Sequence, residues 1–150
     1  SAETNLPTKS VDLIVTDPPF FDNVHYSELA DFFYAWQQLS QDDPLTRSTR
    51  HAREVQDADP TAFARKLRDV LAEGQRLLKD EGLLVFTYHH SRDDGWTALA
   101  EAILGAGLVV VNSHPIKAEM SGATPKAQAK EPIQLDIIVV CRKDEWARQS

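Results

Sequence analysis

Apolar residues recur along this chain with two different periods, and the alternation between them outlines a layered α/β domain. Val11-Asp12-Leu13-Ile14-Val15-Thr16 is a short, β-branched run that stops at Asp17-Pro18-Pro19. Proline cannot donate to a central ladder, so the pattern predicts a buried strand followed by a sharp loop. From Tyr26 to Leu39 the residues Leu29, Phe32, Phe33, Trp36 and Leu39 return at helical spacing. They predict an aromatic-rich amphipathic helix whose stripe faces the sheet as core packing. Gln41 to Ala58 is polar and aperiodic, a surface excursion.

Asp59-Pro60 opens a second helix, with Asp59 as its cap and Pro60 at the first helical position. Phe63, Leu67, Val70, Leu71, Leu77 and Leu78 form its buried stripe down to Lys79, and Gly82 closes it ahead of the buried strand Leu83 to Tyr88. Asp93 or Asp94 caps a third helix through Trp96, Leu99, Ala102, Ile103 and Leu104. Gly105-Ala106-Gly107 ends that helix before the strand Leu108 to Val111. The βαβαβ order implies parallel strands joined by right-handed crossovers, with ligands gathering beyond the carboxyl ends of the strands. Lys117 to Pro132 reads as loop and Gln134 to Arg142 as a last strand. With no helix between them, the last two strands are expected to form an antiparallel hairpin. Lys143 to Ser150 reads as a solvated end.

Composition changes this picture little. A chain of 150 residues that is 42% hydrophobic suits one folded domain, 1-150. No run of about 18 apolar residues is present to span a membrane. The N-terminus lacks the basic start and apolar stretch of a signal peptide, so the expected location is cytoplasmic. The lone Cys141 excludes an internal disulfide and reads as a small core side chain. Net charge does matter: at −7 the chain repels a polyanion, which argues against gripping DNA unaided but not against handling one base in a pocket.

The candidate chemistry lies at Asp17-Pro18-Pro19-Phe20. A carboxylate can accept a hydrogen bond from an exocyclic amine, a proline-stiffened backbone can present a carbonyl to the same nitrogen, and Phe20 can stack on a base rotated out of a duplex. Such stacking is worth roughly 1–3 kcal/mol. Phe21 is the reserve for that role. In the bland alternative the prolines merely stop a strand and Asp17 caps a turn. Asp22, Asn23, His25, Tyr26 and Ser27 continue the loop and could line a pocket, although caps and a hydrophobic staple are the more usual duties of such residues. His89 and His90 follow a strand at the same rim. Neighbours on a strand point to opposite sides, and the other histidines are scattered, so no metal site is expected. Pocket lining and simple hydrogen bonding to neighbouring loops are evenly matched for this pair. The loop Glu119-Met120-Ser121-Gly122 shares the rim by topology. Arg47, Arg50, Arg53, Arg65, Lys66 and Arg68 are the one local enrichment of positive charge. They read first as a solvated face and only second as a guide for a phosphate backbone.

Asp17-Pro18-Pro19-Phe20 resembles the catalytic motif of amino-methyltransferases that modify adenine N6 or cytosine N4. The stretches Val15 to Tyr34 and Leu84-Val85-Phe86-Thr87-Tyr88-His89-His90 are similar to prokaryotic adenine-specific DNA methylases, and the resemblance covers Val11 to Arg142. It implies a Rossmann-like methyltransferase fold, with S-adenosylmethionine as cofactor and DNA as substrate. Asp17 and the Pro18 carbonyl would hold the amine and Phe20 would stack on the base. Asp at the first motif position is the form associated with adenine.

The family's donor site uses a glycine-rich turn after its first strand, and only ten residues precede Val11 here. Gly105-Ala106-Gly107 runs from helix into strand, the wrong order for that turn. The chain is therefore expected to be a partial fold, strands four to seven, with a mostly parallel sheet and a C-terminal antiparallel hairpin. The first half would lie elsewhere, DNA would be gripped through other domains, and the isolated chain would be inactive and self-associating through an open strand edge. The alternatives are an RNA or cytosine-N4 amino-methyltransferase, or a non-catalytic half-domain acting as an interaction module.

Overall fold

A computed structural model describes residues 3–19, 26–39, 48–51, 54–89, 93–117 and 135–147. Among these described residues eight elements follow in chain order. They are β1 (Val11–Thr16), α1 (Tyr26–Gln38), α2 (Pro60–Leu77), β2 (Leu78–Tyr88), α3 (Asp93–Gly105), β3 (Leu108–Lys117), β4 (Leu135–Lys143) and the single turn α4 (Asp144–Ala147).

The second helix starts as its sequence requires. The Asp59 side chain accepts a hydrogen bond from the Thr61 N–H at 3.0 Å, satisfying one of the free donors of the first turn, and Pro60 occupies a position that needs none. Phe63, Ala64, Leu67, Leu71, Gly74 and Leu77 then fall on one buried face. Gly74 lets the helix lie close to the sheet, since a Cβ there would stand 3.1 Å from Leu84 Cδ1 and 3.5 Å from Ile14 Cδ1. Asp93 and Asp94 occupy the first turn of α3, where carboxylates meet the positive end of the helix dipole. Gly107, at φ 73°, makes the left-handed turn that ends this helix.

The four strands form one sheet in the order β1-β2-β4-β3. β1 pairs with β2 in parallel, while β4 is antiparallel to both β2 and β3. The expected hairpin between the last two strands is present. The sheet as a whole is mixed, however, and not mostly parallel. The returning strand β4 inserts between β2 and β3, so two like-directed strands lose their chance to be neighbours and only β1 and β2 pair in parallel.

Helices α2 and α3 cover one face of this sheet. Phe63, Leu67, Leu71, Ala98, Leu99, Ala102 and Ile103 meet Leu84, Phe86, Tyr88, Leu108, Val139 and Cys141 in a single buried cluster. The opposite face carries Leu13 and Val15 of β1, which are 53% and 70% exposed. β2 shows the same division by alternation, with Leu84, Phe86 and Tyr88 buried and Leu83, Val85 and Thr87 half-buried.

Three further expectations need correction. Gly82 does not close a helix: α2 ends at Leu77, and Gly82 sits inside β2 where the register with β1 shifts between Val11 and Leu13. A Cβ on Gly82 would lie 2.9 Å from Leu78 Cδ2, 3.0 Å from the Lys79 carbonyl and 3.2 Å from the Asp12 carbonyl, so the start of β2 together with the close approach of β1 explains the glycine. The aromatic stripe of α1 is not core. Leu29, Phe32, Phe33 and Trp36 are 60% to 66% exposed, and the polar stripe Ser27, Asp31, Tyr34 and Gln38 is the half-buried one. Asp31 anchors it by accepting from Ser48 Oγ at 2.7 Å and from the Thr49 N–H at 2.5 Å. Finally, the tail is not wholly solvated: Lys143 is a buried end of β4, and Asp144–Ala147 form a helical turn.

Residues 4–10 are tied to the far end of α2. Thr4 donates to Glu73 Oε1 through its N–H and hydroxyl, and Arg76 donates to Glu73, Thr8 Oγ1 and the Leu6 carbonyl. Lys9 pairs with Asp80 at 2.8 Å and Lys79 with Asp12 at 2.7 Å. Among the described residues no helix is long and apolar enough to cross a membrane.

Candidate functional site

The register of β1 on β2 builds the site. Thr16 stands opposite Phe86, so the next residue, Asp17, comes level with Thr87 at the carboxyl ends of both strands. The Thr87 hydroxyl donates a hydrogen bond to Asp17 Oδ1. Asp17 is exposed and Pro18 and Pro19 are half-buried. The carboxylate therefore points away from the α2/α3 core, on the same side of the sheet as Leu13 and Val15. With Oδ1 occupied by a hydroxyl, Oδ2 remains to accept a proton donor arriving from outside.

Two residues beyond Thr87, just past the end of β2, lies His89, half-buried, with Nδ1 at 3.8 Å from Asp136 Oδ1. At that separation the two attract when the imidazole is protonated, but they are too far apart for a direct hydrogen bond. Asp136 belongs to β4, so the rim is continuous across three elements: the β1 end with Asp17, the β2 end with Thr87 and His89, and β4 with Asp136.

The structure brings Asp17, Pro18, Pro19 and His89 to one rim. Tyr26, at the start of α1, is 56% exposed. Phe20, Phe21, Asp22, Asn23, His25, His90 and the Glu119-Met120-Ser121-Gly122 loop lie outside the described residues, as do Arg47 and Arg53. Ser27 is engaged through its carbonyl, which accepts from Thr49 Oγ1 at 3.1 Å. Of the basic residues, Arg50 pairs with Glu28 at 3.2 Å, Lys66 with Asp57 at 3.0 Å and Arg68 with Asp69 at 3.0 Å. Their charge is locally balanced, which favours the solvated-face reading over backbone steering. No group of three His, Cys, Asp or Glu side chains among the described residues could hold a metal ion. Cys141 is buried in the core, and burial pushes its thiol up to about 12.

Two residues escape a reading of sequence alone. Thr87 lies in the quoted β2 stretch but gains its meaning only from the β1 register. Asp136 meets His89 only because β4 inserts beside β2.

A family model described as DNA methylase matches residues 11–149. No curated protein matches the chain significantly. Among solved structures, a protein from Thermus thermophilus assigned as a DNA modification methylase is similar at 18% identity and a TM-score of 0.51, over 93% of this chain and 48% of that one. An S-adenosylmethionine-dependent methyltransferase from Leishmania major is similar at 12% identity and a TM-score of 0.46, over 94% of this chain and 42% of that one. The chain thus spans about half the length of these structures.

Proposed function

The chain belongs to the DNA methylase family whose model spans residues 11–149, and we propose that it supplies the amine-holding half of an adenine-N6 methyltransferase acting on DNA. The observation that carries this reading is the exposed Asp17 carboxylate, fixed by Thr87 at a strand end and followed by two prolines.

Methylation of an aromatic amine is difficult because the nitrogen lone pair is drawn into the ring. An acceptor that takes one N–H of the amine, with a carbonyl taking the other, holds the nitrogen so that its lone pair is directed at the donor and its proton has somewhere to go. Asp17 and the Pro18 carbonyl are assigned these two roles, and Phe20 the stacking one. Pro19 stiffens the loop between them. Phe21, Asn23, Tyr26, His89 and His90 are candidates for the wall of the base or donor pocket.

S-adenosylmethionine is the cofactor this reading implies, and when bound it supplies an electrophilic methyl group. The described residues alone do not fit it: none of their strand ends passes through a glycine-rich turn into a helix. Its main cradle is assigned to a first half of the fold outside this chain. The bare face of the sheet, the outer edge of β1, unpaired among the described residues, and the exposed aromatic stripe of α1 support such a half, because the face and the stripe are apolar surfaces left in water and the edge is a template for further strand pairing. The same surfaces would drive the isolated chain to self-associate. DNA would be gripped by other parts of the protein, in keeping with the charge of −7, and the setting would be cytoplasmic.

The test joins this chain to its donor-binding half and follows methyl transfer to a DNA duplex. Asp17→Ala should abolish transfer, and undiminished activity would remove the assignment. Nucleoside analysis of the product separates adenine N6 from cytosine N4, and DNA from RNA substrates. The second reading, a non-catalytic half-domain serving as an interaction module, is favoured by the lack of a glycine-rich donor turn among the described residues. It predicts tight pairing through the bare sheet face with no methylated product.

A further inference from the structure

We propose that Thr87 is a positioning residue for the Asp17 carboxylate, selecting the one rotamer that can receive an amine. This rests on the reading of Asp17 as the amine acceptor.

The two partners differ in how firmly the fold holds them. Asp17 follows the last residue of an edge strand and is exposed, so nothing in its own backbone fixes its side chain. Thr87 lies in an interior strand, opposite Ile138 of β4 and level with the end of β1. Its chain neighbours Phe86 and Tyr88 are 1% and 0% exposed against the helical layer, which sets the direction of the intervening side chain. A β-branched residue held in this way has little freedom about χ1. The hydroxyl has a single proton, and it is given to Asp17 Oδ1. One carboxylate oxygen is thus pinned to a rigid strand, and the other is directed outward.

The neighbouring positions on the same face of β2 are Leu83 and Val85. A valine at 87 would match that apolar row and the shape of threonine, so the hydroxyl is the feature that packing leaves unexplained. Thr87→Val removes only this donor from a half-buried position, and the fold should accept it.

In the protein comprising this chain and its donor-binding half, Thr87→Val should lower kcat by about 3- to 100-fold. The lower figure reflects Asp17 spreading over three side-chain wells, and the upper reflects loss of a hydrogen bond to a charged group. KM for DNA should stay unchanged, and Thr87→Ser, which restores the hydroxyl, should recover most of the rate. A second measurement needs no turnover. Three-bond couplings of the Asp17 β-protons in the chain itself should show one dominant rotamer in the wild type and in Thr87→Ser, and averaging in Thr87→Val. Wild-type kcat in Thr87→Val beside an inactive Asp17→Ala would overturn the proposal while leaving the Asp17 reading intact. Identical couplings in wild type and Thr87→Val would overturn it by themselves. Full activity of Asp17→Ala would instead strike the Asp17 reading, and the couplings would still judge the Thr87 contact.

Discussion

Tyr88 joins the candidate rim to the core, and its two halves should contribute very different amounts. The residue is 0% exposed, its ring meets Trp96 edge to face at 5.2 Å, and its hydroxyl donates to the Gly95 carbonyl at 3.0 Å. Gly95 lies in the first turn of α3, where its carbonyl also faces the N–H four residues on. Tyr88→Phe therefore removes a hydrogen bond without orphaning the acceptor, and should cost about 1 kcal/mol. At this chain length that shifts the midpoint of thermal unfolding by roughly 2–4 °C. Tyr88→Ala also removes a fully buried ring and its aromatic partner, and should cost about 3–5 kcal/mol. Urea unfolding followed by circular dichroism and by tryptophan fluorescence measures both. Equal losses in the two variants would refute the division, since the hydroxyl would then carry what is assigned to the ring.

The same residue carries a pH signature. Burial, reinforced by the nearby Asp94 charge, raises the Tyr88 hydroxyl well above its ordinary 10.0. A raised folded-state value means that the fold retains a proton the unfolded chain releases. The stabilisation is fully present below pH 10.0 and is lost as pH climbs from there towards the folded value. Wild-type stability should thus decline above pH 10 more steeply than that of Tyr88→Phe, and parallel curves would remove Tyr88 as the titrating group.

Two further outcomes test the frame around the site. Gly82→Ala places a Cβ 3.0 Å from the Lys79 carbonyl of its own strand and 3.2 Å from the Asp12 carbonyl of β1, and should destabilise by about 1–3 kcal/mol in urea unfolding. A neutral result would show that neither β1 nor the start of β2 closes on Gly82 as described. Hydrogen bonds from Arg76 and Thr4 hold the Glu73 carboxyl down at about 2 instead of 4.5. A lowered value means the docking of residues 4–10 is at full strength above pH 4.5 and weakens as pH falls through about 2. Amide protection at Thr4 and Lys9, measured against the intrinsic exchange rate at each pH, should fall over that interval, and Glu73→Gln should show low protection already at neutral pH.

What the sequence made legible is the local part of this fold. The cap at Asp59 and the stripe Phe63, Leu67 and Leu71 locate α2, and the prolines locate the end of β1, because both signals are written within one turn or one loop. Gly82 misleads because a glycine after a helix and a glycine under a crossing strand look alike until the strand is known. The stripe of α1 misleads for a related reason: periodicity states that one face is apolar, while the body that covers it is set by tertiary context. The insertion of β4 between β2 and β3, and with it the mixed sheet and the meeting of His89 with Asp136, is a non-local choice that no window of sequence contains. In the site, Asp17 and the prolines were visible as a motif, whereas Thr87 required the register. Phe20, Phe21, Asn23 and His90 remain readings of sequence.

The bare face of the sheet and the chemistry at its rim are one problem. Leu13, Val15 and Asp17 alternate along β1 on the side away from α2 and α3, so the apolar row ends at the carboxylate. Fully burying a Leu or Val side chain is worth roughly 1.5–3 kcal/mol, and Leu13 and Val15, at 53% and 70% exposed, forgo about half or more of it. A body that covered Leu13 and Val15 would reach Asp17 and Thr87 in the next step along the strand, and would become the opposite wall of the pocket. The proposed donor-binding half is thus asked to do two things with one surface. In removing the apolar row from water it would also lower the dielectric around Asp17, where a hydrogen bond to an incoming amine is stronger than at an open edge. An isolated chain leaves the carboxylate in bulk solvent, where water competes for Oδ2, and on this reading completing the fold and activating the site are the same event.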